Sequence, residues 1–284
     1  MTGPARDLRL DSTVSTREGL DLPRLGLGVF QTPPGEVTRK AVRWALDAGY
    51  RLIDTAAMYG NEEAVGEAVR ASGIAREEIV VTTKLWFTDH GFEAAQMAAR
   101  RSQAKLDLGP IDLYLIHWPR ANSPEERLAS WKGLEKLRRE GIVRSIGVSN
   151  YAARHLEELA EHAGVYPSVN QVEFHPFVYD PGFLRHAEEH RIVVEAYSPL
   201  TRARRLDDPT IGTIARAHGK SPAQVLVRWG LQHGLVELPK SVHQERIREN
   251  ADVYDFSLRA EEVEALDRLA GGGRVGAADP ASIP

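Results

Sequence analysis

The chain has 284 residues and a formal net charge of −4, and its 42% apolar and 27% charged residues are ordinary for a globular protein. The weak negative charge excludes a strong basic field toward nucleic acid or an anionic membrane, and the absence of cysteine excludes disulfides, thiolate catalysis and cysteine-ligated metals. We expect a cytoplasmic enzyme, because the first 12 residues hold no apolar segment of a secretory signal and no apolar run reaches the roughly 18 residues of a membrane span.

Eight short runs rich in apolar and β-branched residues predict strands. None of them alternates regularly between apolar and polar residues, which suits strands buried on both faces of a parallel sheet. The predicted strands are Leu25–Val29, Arg51–Ala56, Ile79–Leu85, Ile111–Trp118, Val143–Ser149, Val169–Phe174, Ile192–Tyr197 and Leu235–Pro239.

Helical patterns lie between these strands, and most are followed by a glycine, where helices commonly end. The predicted helices are Val37–Ala48, Glu62–Ala71, Phe92–Leu106, Glu125–Glu140, Ala152–His162, Pro181–His190 and Pro222–His233. Eight strands that alternate with helices predict an α/β fold, a (β/α)8 TIM barrel that forms one domain over residues 1–284. Residues 5–24 are predicted to form a short N-terminal β-hairpin, and Arg259–Ala270 an extra C-terminal helix.

Four polar residues lie at the carboxyl ends of successive predicted strands, where a barrel of this kind holds its active site. Asp54 ends the second strand, Tyr59 follows it, Lys84 lies in the third strand and His117 in the fourth. Taken singly, each residue has an ordinary alternative as a helix cap or a rim residue. However, a lysine among buried β residues requires a charge partner, and Asp54 of the adjacent strand is the obvious one.

These residue types suit proton donation to a developing alkoxide. An ammonium lowers the pKa of a neighbouring tyrosine from about 10, so Lys84 would make Tyr59 a general acid near neutral pH. Asp54 would hold Lys84, and His117 could orient a carbonyl oxygen toward the phenol. Hydride addition to a carbonyl requires this proton, and the hydride itself must come from a cofactor.

The glycine-rich dinucleotide fingerprint is absent, so the cofactor would have to bind the barrel mouth in another way. Lys240, Ser241, Arg246 and Asn250 follow the last predicted strand, which is the usual phosphate site of this fold. Their chemistry suits an additional phosphate and therefore NADP rather than NAD. The alternative is a solvated loop and helix.

Several ordered motifs resemble the aldo-keto reductase family, closest to its prokaryotic 2,5-diketo-D-gluconate reductase-like branch. Gly49–Ala56 with Tyr59–Glu62 resembles the first signature of the family. Further motifs follow in order: Val81–Trp86, Ile111–Pro119, Gly147–Asn150, Asn170–Glu173, Ala196–Leu200 and Pro239–Val242 with Arg246, Glu249 and Asn250.

The resemblance implies a monomeric, metal-free enzyme that reduces aldehydes or ketones, including keto-sugars such as 2,5-diketo-D-gluconate, with NADPH. Asp54, Tyr59, Lys84 and His117 would be catalytic, with Tyr59 as the acid. Cofactor-binding residues would be Ser149, Asn150 and Gln171 at the carboxamide, Tyr197 on the ring, Ser198 and Leu200 at the pyrophosphate, Lys240, Ser241, Val242 and Arg246 around the 2′-phosphate, and Glu249 and Asn250 at the adenine. Phe30, Trp86, His117 and Trp118 would line the substrate pocket.

Three features depart from that branch. Thr201–Arg205 carries three arginines where small residues are common, and they could contact phosphate or form a solvated charge run. His243 replaces a common Arg or Thr, which weakens the case for NADP. Phe87 and Thr88 replace a frequent polar pair, which predicts a more apolar pocket rim.

Two other functions compete with the reductase. His186–His190 fits the H-x-x-E-H pattern of a zinc hydrolase, although it lies at the helix end that faces away from the barrel mouth. A non-catalytic NADP(H)-binding regulatory subunit is the second alternative, and the complete set of four polar residues argues against it.

Overall fold

The computed structural model describes residues 8–276 and 278–283. The chain begins with an antiparallel hairpin of β1 (Thr13–Ser15) and β2 (Asp21–Pro23), in which Val14 pairs with Leu22. Residues 13–23 thus form the predicted hairpin, whereas residues 5–7 of the prediction lie outside the described part of the chain.

Eight parallel strands follow and pair in chain order. They are β3 (Leu27–Gly28), β4 (Leu52–Asp54), β5 (Val80–Leu85), β6 (Ile111–Ile116), β7 (Val143–Ser149), β8 (Val169–Glu173), β9 (Val193–Tyr197) and β10 (Val236–Leu238). The two edges meet, because Leu25 bridges Glu237 and the Gly26 amide donates to the Glu237 carbonyl at 2.9 Å. This closure confirms the predicted (β/α)8 barrel. That the domain spans 1–284 stays a prediction.

Ten α-helices are present in the described residues, two more than predicted. They are α1 (Glu36–Asp47), α2 (Glu62–Arg70), α3 (Phe92–Leu106), α4 (Pro124–Arg139), α5 (Ala153–His162), α6 (Pro181–Glu189), α7 (Pro209–His218), α8 (Pro222–Gln232), α9 (Gln244–Ala251) and α10 (Ala260–Asp267). The two additional helices are α7, which Asp208 caps, and α9, which buries only Ile247 and Asn250 and so lacks an apolar stripe.

The barrel interior changes from apolar to polar toward the carboxyl ends of the strands. Leu22 of the hairpin packs with inward apolar side chains such as Leu52, Val169 and Val193 and closes the amino-terminal end. Further along the strands the inward positions carry Asp54 and other polar side chains. The apolar layer therefore forms the floor beneath a polar site.

Helices α2 and α3 pack so closely at Gly66 that a Cβ placed there would lie 1.9 Å from the Leu106 carbonyl oxygen. We expect Gly66→Ala to lower the free energy of unfolding by about 1–3 kcal/mol, because the two helix backbones would have to separate. Gly212→Ala in α7 is the matched control, since its Cβ would contact only the flexible end of Arg216. The control should be neutral or stabilising by up to about 1 kcal/mol in urea unfolding. Equal effects of the two substitutions would contradict the close packing at Gly66.

Candidate active site

A cavity of about 920 Å³ opens at the carboxyl ends of the strands. All of the residues predicted for the site line this cavity except Lys84 and Ser149. These two are buried in the strand ends, where Lys84 is 0% exposed. The structure therefore brings the predicted residues together at one mouth of the barrel.

Asp54 and Lys84 form a buried ion pair beneath the cavity. The Lys84 ammonium donates to both carboxylate oxygens of Asp54 at 2.7 Å and to the Thr55 carbonyl at 2.9 Å. The pair forms because β4 and β5 are neighbours, so that both side chains emerge on the inner face of the barrel. The same ammonium lies 5.2 Å from the centre of the Tyr59 ring.

Tyr59 ends a short 3-10 turn (Ala57–Tyr59) after β4, and Gly60 follows it in the left-handed conformation at φ 68°. Its half-buried ring packs on Phe30 at 5.0 Å and on His117 at 5.7 Å between ring centres. Burial and the Asp54 carboxylate raise the pKa of Tyr59 well above 10. The predicted lowering is therefore wrong in this structure, because burial and the Asp54 carboxylate outweigh the opposing charge of Arg202. The phenol stays protonated, as a proton donor must.

His117 is a neutral imidazole at the end of β6. Burial, followed by the nearby Lys84 charge, holds its pKa well below 6.5. Its Nδ1 is buried and has no hydrogen-bond partner in the described residues. Trp86 packs edge-on against its ring at 5.1 Å. A neutral imidazole has one N–H to donate, so His117 is able to bind a carbonyl oxygen beside Tyr59.

Polar side chains at the ends of β7, β8 and β9 form a connected network. Tyr197 donates to Asn150 Oδ1 at 2.8 Å, and Asn150 Nδ2 donates to Ser149 Oγ at 3.0 Å. Gln171 Nε2 donates to Asp54 at 2.8 Å. Asn150 adopts the left-handed conformation at φ 62°, which asparagine tolerates better than most residues. Asn150 and Gln171 of this network line the cavity, where a carboxamide could pair with their amide oxygens.

The opposite side of the cavity is basic. Lys240 and Arg246 both line the cavity, and neither forms an ion pair within the described residues. Burial lowers the pKa of Lys240. Arg246 lies in the first turn of α9, where a cation is unfavourable unless an anion binds nearby. Unpaired cations around Ser241 fit a phosphate group, and His243 lines the cavity beside them.

The three arginines after β9 are all exposed, but they have different surroundings. The Arg202 guanidinium lies over the Phe30 ring at 5.6 Å and lines the cavity. Arg205 lies over Phe177 and donates to the Gly272 carbonyl. Arg204 alone matches the expectation of a simple solvated residue.

The cavity rim is apolar near Trp86, as the sequence predicted. Phe87 packs on Trp86 at 4.4 Å, and Arg120 lies over Phe87 at 5.8 Å. Sequence reasoning missed other lining residues, which come from loops, from the start of α8 and from the C-terminal tail: Gln31, Met58, Arg120, Leu206, Pro222 and Ala278. Arg120 could have been found, because it lies only two residues after the end of a predicted strand.

The alternative function of a zinc hydrolase lacks a third metal ligand in the described residues. The centres of the His186 and His190 rings lie 4.2 Å apart, and within the described ranges no three His, Asp or Glu side chains are grouped so that they could hold a metal ion. In the same residues, no helix is long and apolar enough to cross a membrane.

A model of the Aldo/keto reductase family matches residues 24–270. The chain is 45% identical over 267 residues to a glyoxal reductase of Bacillus subtilis (strain 168), covering 94% of this chain and 96% of the relative. It is 46% identical over 266 residues to a 9,11-endoperoxide prostaglandin H2 reductase of Trypanosoma cruzi (strain CL Brener), covering 93% of each. Neither relative is a 2,5-diketo-D-gluconate reductase by name, so the predicted branch is not confirmed.

Solved structures agree with this match. An aldo/keto reductase from Brucella melitensis superposes with a TM-score of 0.87 and 44% identity, over 91% of this chain and 99% of that chain. A Bombyx mori aldo-keto reductase in complex with NADP gives a TM-score of 0.88 and 36% identity, over 95% of this chain and 96% of that chain.

Proposed function

Because the chain belongs to the aldo/keto reductase family, we propose that it reduces small aldehydes and ketones with NADPH and that Tyr59 donates the proton. The observation that carries this proposal is the position of Tyr59. The phenol is protonated, lies 5.2 Å by its ring centre from the buried Lys84 ammonium, and neighbours His117 in the cavity. The proton donor Tyr59, the cation Lys84 and the carbonyl-orienting His117 therefore lie side by side at the cavity.

The residues present fit NADPH. The unpaired cations Lys240 and Arg246 suit the 2′-phosphate, and the amide network around Asn150 and Gln171 suits the carboxamide. Tyr197 lines the cavity beside this network and offers a ring face for the nicotinamide. NADPH supplies the hydride that adds to the carbonyl carbon.

The chain itself controls the oxygen atom of the substrate. His117 would hold the carbonyl oxygen through its one N–H, while Tyr59 gives its proton to that oxygen as the negative charge develops. Lys84 then stabilises the phenolate that remains, and Asp54 keeps the ammonium in position. Phe30, Trp86 and Trp118 would exclude water around the reacting groups.

The substrate proposal is a small carbonyl compound, with aldehydes, dicarbonyls and keto-sugars as the classes to compare. Aromatic walls favour compact substrates, and one relative is named for glyoxal.

We also propose that the protein is a cytoplasmic monomer, which size-exclusion chromatography and cell fractionation would test.

We expect NADPH to be oxidised in the presence of a small aldehyde panel, with much slower turnover of NADH. The measurement is the loss of cofactor absorbance, run in parallel with quenching of tryptophan fluorescence. Quenching without turnover would favour the non-catalytic NADP(H)-binding subunit. The absence of both would contradict the cofactor site itself.

A further inference from the structure

Glu195 is a buried carboxyl residue in β9 that is not among the residues predicted for the site. It is 0% exposed and lies two residues after Val193, on the same face of the strand, and Val193 belongs to the apolar barrel interior. Its side chain therefore also points into the barrel, beneath the cavity. A carboxyl group in this position requires a partner.

The partner is Gln171 of β8. Gln171 Nε2 donates to Glu195 Oε2 at 2.8 Å and to Asp54 Oδ2 at 2.8 Å. One amide nitrogen thus joins two carboxyl groups from opposite sides of the barrel. Both of its hydrogens are used, and carboxylate oxygens accept from the nitrogen but not from the amide oxygen. Glu195 and Asp54 together therefore fix the orientation of Gln171 and leave its amide oxygen for a ligand in the cavity.

The charge of Glu195 is set by the same surroundings. Burial, and next the Asp54 carboxylate, raise the pKa of Glu195 to about 7, while Gln171 and Lys84 oppose this rise. Its Oε1 has no hydrogen-bond partner in the described residues. The charged groups that face it are Asp54 from β4 and Lys84 from β5, which are already paired with each other. Glu195 therefore gains a negative charge as the pH rises through neutrality.

We propose that Glu195 is a positioning residue that orients Gln171 toward the cofactor and that, once ionised, opposes proton donation by Tyr59. The inference rests on the proposed reductase function. Proton donation leaves a phenolate on Tyr59, and an additional negative charge beside the Asp54–Lys84 pair disfavours that anion. Reduction is therefore fastest while Glu195 is neutral and slows as the pH rises.

The test is the pH profile of Glu195→Gln, which stays uncharged and keeps an oxygen that accepts from Gln171. We expect wild-type kcat for aldehyde reduction to fall between about pH 6 and about pH 8, on the order of tenfold at most for one charge at this range. The kcat of the variant should equal that of the wild type at low pH and should not fall over this pH range. An unchanged decline in the variant would overturn the proposal.

Glu237→Gln is the matched control. Glu237 is also a buried carboxyl residue, and it lies on the adjoining strand β10, but its side chain points out of the barrel against Gly230 of α8. Burial likewise raises its pKa. This variant should keep the wild-type pH profile. If both variants lost the fall of kcat with rising pH, that fall would come from buried charge in general, and the proposed role of Glu195 would be overturned.

A second variant, Glu195→Leu, removes the acceptor for Gln171. We expect its dissociation constant for NADPH, measured by tryptophan quenching, to rise on the order of tenfold, whereas Glu195→Gln binds as wild type does. Equal binding by the two variants would overturn the orienting role. If wild-type protein bound NADPH without turnover, the proposed reductase function would fail, and this binding comparison would still decide the orienting role of Glu195.

Discussion

Replacement of Tyr59 by phenylalanine should lower kcat for aldehyde reduction by about 10²–10⁴-fold and leave NADPH binding within about twofold of wild type. The change removes only the hydroxyl, while the ring keeps its contacts with Phe30 and His117. The wild-type phenol is protonated because burial and Asp54 raise its pKa. Steady-state kinetics and tryptophan quenching measure the two effects.

Tyr151→Phe is a suitable control for this experiment. Tyr151 is 1% exposed, its hydroxyl has no hydrogen-bond partner in the described residues, and it is not one of the residues that line the cavity. Its loss should leave turnover unchanged. Activity of Tyr59→Phe within a few-fold of wild type would show that another group donates the proton.

The sequence predicted the elements whose signal is local. Strands of the barrel are recognisable because each is apolar and β-branched, and Asp54, Lys84 and His117 could be placed because parallel strands all end at one mouth. Lys84 was the strongest signal, since a lone lysine in an apolar strand requires a partner. The same reasoning applies to Glu195, which follows Val193 and Val194, and it could have been found in this way.

The remaining features depend on distances across the barrel. Gln171 bridges Asp54 and Glu195 only because β8 and β9 face β4 after closure, and no local pattern encodes this. The direction of the Tyr59 pKa shift was predicted wrongly because the pKa is set by burial, by the Asp54 carboxylate and by the opposing Arg202 charge, and burial follows only from the assembled structure. Helix α9 was missed because it buries only one apolar side chain, Ile247, and its sequence therefore shows no apolar periodicity.

Discrimination between the two nicotinamide cofactors should depend on Arg246. This side chain lies in the first turn of α9, lines the cavity and has no ion-pair partner in the described residues. Charge-assisted hydrogen bonds to a phosphate contribute about 1.5–3 kcal/mol, so Arg246→Ala should raise the KM for NADPH by roughly 10- to 100-fold. The KM for NADH should change by less than about threefold, because NADH lacks the 2′-phosphate.

Arg248→Ala provides the matched comparison on the same helix. Arg248 is exposed as Arg246 is, but it does not line the cavity, so its loss removes an equal charge without removing a contact. If both substitutions weaken the binding of NADPH equally, the effect comes from the net charge around α9 and disappears in high salt. If only Arg246→Ala does so, and the weakening persists in salt, the guanidinium contacts the phosphate directly. If Arg246→Ala raised the KM for NADPH and for NADH equally, Arg246 would contact another part of the cofactor. Lys240 and Ser241 would then have to distinguish NADPH from NADH.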